Sequence, residues 1–222
     1  MLAIAVVLCA FLLARDAKAA GVNRETIYDL VFWVMAGGLI GARIFYIALT
    51  WEYFSHNLWE IVMLNRGGLA WQGGFLGGTA AGLWFVKSRK LPLRKFLDLS
   101  APYVALGQAI GRIGCFLNGC CYGKECPLGV HFPSHPAPLC PTQLYEAGSL
   151  LAIFFILKWA QKKSKTAGMV FVLYLWLAAV ERFIVEFCRA DHEILWLGLS
   201  LAQYIAAAVF VAGTLVFLKV RK

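Results

Sequence analysis

The chain has 222 residues, of which 61% are hydrophobic and only 15% are charged. A soluble domain of this length needs far more polar surface, so the composition excludes that class and predicts a multi-spanning membrane protein. We therefore interpret the net charge of +9 first as a signal of orientation across the membrane.

Apolar segments follow one another along the whole chain. The first, Met1–Ala14, is short for a span, and we expect it to be the inner part of a first helix whose outer end is missing from the sequence. A cleaved signal peptide is the alternative, but no positive charge precedes the apolar run. Longer segments lie at 27–50, 67–86, 99–117, 143–160, 168–188 and 197–218. We predict an all-α polytopic membrane protein with about seven transmembrane helices, forming a single domain over residues 1–222.

Lysine and arginine residues cluster in every second loop. Fifteen of the 21 lie in four clusters, Arg15–Arg24, Lys87–Lys95, Lys158–Lys165 and Lys219–Lys222. The positive-inside rule makes these loops cytoplasmic. The opposite side holds all four histidines and the other basic residues: Arg43, Arg66, Arg112, Lys124, Arg182, Arg189, His56, His131, His135 and His192. Basic residues on that side require a reason other than topology.

Several later segments carry polar groups on one helical face. Two stripes have the spacing i, i+4 and i+7: Gln108, Arg112 and Cys115, and then Arg182, Glu186 and Arg189. Between them, Gln143 and Glu146 share a face near a helix start, where the positive helix end favours a carboxylate. Gly107 and Gly111 form a small-residue surface that predicts the close approach of another helix. Because these groups lie toward the non-cytoplasmic side, we expect them to converge on one cavity.

Arginine inside a membrane helix demands a partner. A charged side chain at the helix centre costs roughly 2.5 to 3.5 kcal/mol on insertion scales, so Arg112 is expected to face a protein interior or a water-filled cavity. Structural ion pairs that hold helices together are one interpretation. The excess of guanidinium over carboxylate favours another, the binding of an anionic headgroup, because the planar guanidinium binds phosphate oxygens in bidentate fashion.

Five motifs follow one another along the chain: GARIFY at 41–46, GGLAWQGGFLGG at 67–78, GRIGCFLNGCCYG at 111–123, PTQLYE at 141–146 and ERFIVEFCR at 181–189. They resemble a known family, the bacterial prolipoprotein diacylglyceryl transferases, and the run at 111–123 is similar to the signature of that family. Together they cover nearly the whole chain. The number of helices in the family and its outward-facing site agree with the predicted topology.

The resemblance implies a transferase in the bacterial cytoplasmic (inner) membrane, multi-pass, with its site toward the outer leaflet. Such enzymes transfer the diacylglyceryl group of phosphatidylglycerol to the lipobox cysteine of prolipoprotein signal peptides, so these substrates and membrane lipids are the expected partners, with no nucleic acid. The resemblance implies catalytic roles for Arg112 and Arg182. It implies roles in substrate binding for Gln72, Asn118, Gly123, Glu146, Glu186, Arg189 and Arg43. No metal or organic cofactor is expected.

The chain departs from the family pattern at three places. Gln72 stands where the family often has a histidine that is proposed as the base, and an amide cannot take a proton at neutral pH. Cys115 and Cys120 stand where the family commonly has Asn and Glu. An aromatic segment with a Tyr-Gly pair, which begins the first helix of relatives, is absent from the sequence.

Cysteines supply the main alternative function. Cys115, Cys120, Cys121, Cys126 and Cys140 lie close together on the outer side with His131 and His135, which would suit a membrane thiol-disulfide oxidoreductase or a metal-binding protein. The absence of a C-x-x-C motif and the adjacent pair Cys120–Cys121 argue against both. A structural disulfide, for example between Cys126 and Cys140, or free packing thiols are the simpler interpretations. A transporter is a third class, but inverted repeats are not evident.

Overall fold

The computed structural model describes residues 1–19, 21–63, 67–132, 137–190, 195 and 198–221, and it confirms the all-α prediction. Its helices are α1 (Leu2–Ala19), α2 (Arg24–Leu49), α3 (Trp51–His56), α4 (Trp71–Ser88), α5 (Leu93–Asn118), α6 (Thr142–Lys163), α7 (Met169–Glu186) and α8 (Leu201–Val220). A short 3-10 helix, Leu58–Val62, follows α3. Within the same residues, one strand, β1 (Glu125–Val130), lies between α5 and α6.

The six longer apolar segments all form helices, namely α2 and α4 to α8. The helix formed by the N-terminal apolar stretch, α1, continues beyond Ala14 and ends at Ala19. Among the described residues, α2 and α8 are the two helices long and apolar enough to cross a membrane by themselves. These helices are consistent with a membrane location, whereas the number of spans stays a prediction.

Side chains cap the starts of α7 and α8. The carboxylate of Asp98 on α5 accepts the backbone N–H groups of Gly168, at 2.6 Å, and Phe171, at 2.8 Å. Ser200 Oγ accepts the N–H of Gln203 at 3.3 Å, and the Gln203 side chain accepts the N–H of Ser200 at 2.9 Å, which forms a capping box. These bonds satisfy donors that a helix start leaves open and so fix where both helices begin.

The chain divides into two compact units, which we describe separately. The first contains Met1–Leu13 and Leu97–Lys222, and the second is Ala14–Phe96. The core of the first unit joins α5, α6 and α7 through small residues on α5 and larger ones on the other two helices. Its buried members are Ala101, Ala105, Ala109, Leu150, Ile153, Leu157, Val170 and Tyr174.

In the first unit, α1 lies along the small-residue face of α5. At Gly107, the position of an added Cβ would lie 3.6 Å from Cys9 Sγ, and at Gly114 it would lie 2.9 Å from Met1 Cβ. Nothing in the described part of the chain lies within 4 Å of the same position at Gly111. The predicted close approach therefore occurs at Gly107 and Gly114 but not at Gly111.

In the second unit, α2 and α4 meet along a seam of glycines. Gly37 and Gly41 on α2 face Gly73 and Gly77 on α4. A Cβ added to Gly41 would lie 2.9 Å from the Gly77 Cα, and one added to Gly37 would lie 2.9 Å from the Gly77 carbonyl oxygen. This spacing is typical of membrane helix pairs in which small residues bring the backbones close together.

Candidate active site

Glu146 is the centre of a buried polar network in the first unit. It lies in the first turns of α6, and its side chain is 1% exposed. Its Oε2 lies 2.6 Å from Nε of Arg112 on α5, and its Oε1 lies 2.9 Å from Nη1 of Arg182 on α7. Nη1 of Arg189 lies 3.7 Å from the same Oε1. One carboxylate thus connects α5, α6, α7 and the segment after α7.

Glu186 forms the second anionic centre, one turn beyond Arg182 on α7. Its Oε2 lies 2.8 Å from Nη2 of Arg182 and 3.9 Å from Nε of Arg189. Ser200, the N-cap of α8, donates its hydroxyl to the Glu186 Oε1 at 2.7 Å. Arg182 therefore bridges two carboxylates through the two arms of its guanidinium.

Exposure differs sharply between the acidic and the basic members of the network. The Glu146 and Glu186 side chains are 1% and 3% exposed, whereas those of Arg112 and Arg182 are 27% and 30% exposed. With Arg189, three cations surround two anions. The arginines therefore present accessible charge above buried carboxylates, and the five side chains together carry a net positive charge.

Arg112, Glu146, Arg182 and Glu186 come together in the network as the helical spacings predicted. Arg189 also joins it, but from beyond the end of α7 and not from the helical face that the spacing assigned to it. Gln108, on the same face of α5, accepts the hydroxyl of Tyr174 on α7 at 3.2 Å. This bond adds a polar contact between α5 and α7 beside the ion pairs.

A Schellman motif ends α5 directly after its polar face. Gly119 has φ +69°, its N–H bonds to the Phe116 carbonyl, and the N–H of Cys120 bonds to the Cys115 carbonyl, both at 3.1 Å. In this motif the side chain at position C3, in the last turn of the helix, lies next to the side chain at position C″, two residues after the C-cap. Here those residues are Cys115 and Cys120.

The start of α6 holds the segment that follows this motif. Thr142 donates its hydroxyl to the Cys121 carbonyl at 2.9 Å, and Gln143 donates its amide to the Cys120 carbonyl at 2.7 Å. Gln143 is fully buried, and its Oε1 has no hydrogen-bond partner among the described residues. The turn after α5 and the first turn of α6, which leads to Glu146, are therefore fixed to each other.

Gly123 and Asn118 flank this turn in contrasting environments. Gly123 is buried, and an added Cβ would lie 2.6 Å from the Cys188 carbonyl oxygen and 2.7 Å from Cγ2 of Thr142. It also bridges the backbone of Arg189. Asn118 is exposed at the end of α5. Gly123 is thus required by packing beside Arg189, while Asn118 is accessible to a ligand.

The cysteines of this region take two different states. Cys126 and Cys140 form a disulfide, which confirms the pairing suggested by the sequence. Cys115, Cys120 and Cys121 are free and partly buried, and their three sulfur atoms lie within 4.8 Å of one another. The spacing had argued against a chelating arrangement, but the helix end brings these thiols together.

Arg43 and Gln72 lie in the second unit. The Arg43 guanidinium donates to the carbonyl groups of Ile61 at 2.9 Å, Gly67 at 2.7 Å and Gly68 at 3.0 Å. Further bonds go to the carbonyls of Glu60 and Met63. Gln72, in the first turn of α4, is exposed. Arg43 therefore holds the backbone that leads into α4.

Glu181 is a further acidic residue that the sequence interpretation did not select. It is partly buried on α7 and accepts the hydroxyl of Ser149 at 3.1 Å, and it interacts electrostatically with Glu146, Arg112 and Arg182. Its place directly before Arg182 in the chain was the available signal. His56 and His131 are exposed. Arg66, His135 and His192, which were assigned to the outer side, lie outside the described residues.

Fold and network together define an all-helical protein, consistent with a membrane location, that has an arginine-rich polar centre around two buried carboxylates. The chain belongs to the prolipoprotein diacylglyceryl transferase family, whose model matches residues 1–219.

Proteins named phosphatidylglycerol–prolipoprotein diacylglyceryl transferase are similar to it over nearly their full length. The protein from Clostridium tetani (strain Massachusetts / E88) is 35% identical, and the match covers 98% of this chain and 90% of the relative. The protein from Finegoldia magna is 33% identical, with 100% and 90% covered. That from Streptococcus pyogenes serotype M1 is 32% identical, with 97% and 87% covered.

Proposed function

We propose that this chain transfers the diacylglyceryl group of phosphatidylglycerol to the cysteine thiol of prolipoproteins, the first step of lipoprotein maturation. Support comes from membership of the family over residues 1–219 and from the names of the relatives, which specify this donor and this acceptor. The same membership favours a transferase over the oxidoreductase, metal-binding and transporter alternatives.

The excess of accessible guanidinium is the observation in the site that carries the proposal. Arg112 and Arg182 are anchored on one side by buried carboxylates and are 27% and 30% exposed on the other. A phosphodiester headgroup brings a negative charge and oxygen acceptors that match a planar guanidinium. Glu146 and Glu186 in this proposal orient the arginines, and Arg189 supplies the cation in excess.

The reaction makes use of this charge in its bond-breaking step. The thiol loses its proton, the sulfur attacks the glycerol carbon that carries the phosphate, and the carbon–oxygen bond breaks. Glycerol phosphate leaves with that electron pair, so the phosphate changes from a monoanion to a dianion. Donors placed where such charge develops contribute about 10²- to 10³-fold each in comparable sites. Arg112 and Arg182 are the proposed catalytic residues for this reason.

The remaining predicted residues take supporting roles. Asn118, which is exposed beside the turn after α5, offers a hydrogen bond to the headgroup. For Gln72, which is exposed on α4, the resemblance to the family supports a role in substrate binding. Gly123 permits the close packing that places Arg189. Since the donors of Arg43 are engaged by carbonyl groups, its proposed role is to shape the segment that precedes Gln72.

We propose a multi-pass arrangement in which residues 1–222 act as one transferase domain with its site toward the outer leaflet. The support is the clustering of fifteen of the 21 basic residues in alternate loops, which favours a position of the turn after α5 on the side opposite these basic loops. Lipobox-bearing signal peptides reach that leaflet as the proposed acceptors.

The test is a transfer reaction with purified protein in phosphatidylglycerol vesicles. A synthetic peptide with a lipobox cysteine should gain the mass of one diacylglyceryl group, and the same peptide with serine in place of the cysteine should gain none. Arg112→Lys, which keeps the charge but loses the bidentate geometry, should be folded and lose most of the transfer. Absence of an adduct with the folded wild-type protein would overturn the proposal.

A further inference from the structure

Three free thiols form a compact cluster at the end of α5. The Schellman motif places the side chains of Cys115 and Cys120 side by side, and the Cys120 thiol lies 3.6 Å from the Cys115 carbonyl oxygen. Cys121 follows with φ +64°, a left-handed conformation that is uncommon for any residue except glycine. The sulfur atoms of all three lie within 4.8 Å of one another. We refer to these residues as the thiol cluster.

The thiol cluster is held by the same elements that hold the arginine network. Thr142 and Gln143, in the first turn of α6, bind the carbonyl groups of Cys121 and Cys120, and Glu146 lies one turn further along that helix. On α5, Arg112 precedes Cys115 by three residues and therefore lies on the same side of the helix, where the two groups interact electrostatically. The thiols thus stand beside the proposed phosphate site on a fixed backbone.

Three converging cysteines suit a thiophilic dication. Zinc binds cysteine sulfur at about 2.3 Å in tetrahedral geometry, which separates neighbouring sulfurs by roughly 3.8 Å, and a catalytic zinc keeps three protein ligands and one open position. Small rotations about the Cα–Cβ bonds bring sulfurs within 4.8 Å to that spacing. Three thiolates around one dication carry a net charge of −1, which the Arg112 guanidinium offsets.

We propose that Cys115, Cys120 and Cys121 bind one zinc ion whose fourth position takes the thiol of the acceptor cysteine. This inference rests on the proposed function and supplies its activation step. A thiol that coordinates zinc is deprotonated outright, so the proton passes to solvent on binding. The bound sulfur then attacks the glycerol carbon, the carbon–oxygen bond breaks, and glycerol phosphate leaves with the electron pair toward Arg112 and Arg182.

The carboxylates of the network are poorly placed for the same task. Glu146 and Glu186 are buried and ion-paired with arginines. Glu181 is the competing candidate, since it is partly buried, accepts a hydrogen bond from Ser149 and forms no ion pair with a described residue. The experiment therefore includes Glu181→Gln as a separate arm.

Metal binding is measured first, on the whole protein in vesicles with Co²⁺ as a spectroscopic substitute for zinc. One Co²⁺ per chain should bind, with thiolate-to-metal charge-transfer absorption. Cys115→Ser combined with Cys120→Ser should abolish that band. Cys188→Ser, which changes an exposed free cysteine outside the cluster, should leave it intact. Adding the lipobox peptide should shift the cobalt spectrum, and its serine counterpart should not. Absence of the band, or its persistence in the double variant, would overturn the site.

Turnover is measured second, before and after removal of metal with a chelator. The rate should fall at least tenfold and return on addition of zinc, while Cys188→Ser behaves as wild type. If transfer is insensitive to the chelator but is lost in Glu181→Gln, the inference is overturned in favour of a carboxylate base. A disulfide between Cys115 and Cys120, found by mass spectrometry in active protein, would also overturn it. If the cluster binds Co²⁺ and the peptide shifts the cobalt spectrum, but the protein transfers no diacylglyceryl group, the metal site is supported and the proposed function is refuted.

Discussion

The substitution Arg182→Lys best distinguishes a catalytic role of this arginine from a purely structural one. In the wild type, Nη1 contacts Glu146 at 2.9 Å and Nη2 contacts Glu186 at 2.8 Å. The single ammonium group of lysine can contact one of these two carboxylates well but loses the contact with the other. Losing one charge-assisted hydrogen bond costs about 1.5 to 3 kcal/mol, and the 30% exposure of the side chain favours the lower part of that range.

The effect on the reaction is larger than the effect on folding. If the outer edge of Arg182 binds the phosphate, the variant also loses a donor to the leaving group. A cost of about 1.5 to 3 kcal/mol in the transition state corresponds to a decrease in kcat/KM of roughly 10- to 150-fold. We therefore expect a folded protein with a modestly lowered unfolding temperature and a much lower kcat/KM.

The assay is the initial rate of peptide lipidation at matched concentrations of folded protein, with phosphatidylglycerol varied in vesicles. Arg89→Lys is the matched control, because Arg89 is 60% exposed and pairs with Asp29 at 3.5 Å in the second unit, and its kcat/KM should change by less than about twofold. If Arg182→Lys melts as expected but keeps kcat/KM within threefold of wild type, the arginine is a structural partner only and the reasoning fails.

Three further predictions concern packing, the headgroup and topology. Gly123→Ala should lower the unfolding temperature because its Cβ would lie 2.6 Å from the Cys188 carbonyl oxygen, whereas Gly148→Ala, with nothing described within 4 Å, should not; equal melting curves would refute this. Gln72→Ala should raise the KM for phosphatidylglycerol by about 2- to 10-fold and leave kcat unchanged, the result of losing one ground-state hydrogen bond. A change confined to kcat would contradict that role. In intact cells, an impermeant maleimide should label a cysteine introduced at Lys124 and leave one at Lys90 unlabelled; the opposite pattern would invert the proposed orientation.

Helical periodicity accounts for what the sequence could predict. The i, i+4 spacing of Arg182 and Glu186 places them on one face of α7, and a buried charge in an apolar helix requires a partner. Arg189 lies beyond the end of α7, so its approach to the network does not follow from helical spacing. The network around Glu146 could therefore be anticipated in large part from three short segments. Its exposure pattern, with carboxylates beneath and arginines above, depends on how the helices pack and could not.

Loop conformation accounts for what could not be predicted. The adjacency of Cys115 and Cys120 depends on the left-handed conformation of Gly119, and no apolar pattern marks where α5 ends. The role of Arg43 depends on carbonyl groups 17 to 25 residues further along the chain. Such contacts are decided by tertiary structure. Residue spacing alone therefore argued against a metal site at these cysteines, and the family resemblance implied a substrate-binding role for Arg43 without indicating its contacts with these carbonyl groups.

In the proposed multi-pass arrangement, the Glu146 network also constrains the order in which the helices can enter the bilayer. During biogenesis, α7 carries its own neutralising pair, because Arg182 and Glu186 contact each other one turn apart. By contrast, Arg112 on α5 has its ion-pair partner among the described residues on α6, at Glu146, which also contacts Arg182 on α7. We therefore expect α5 and α6 to leave the insertion machinery as a hairpin, with the arginine neutralised before lipid surrounds it. The ion pairs of the polar centre would then have to form during membrane insertion, before any substrate binds.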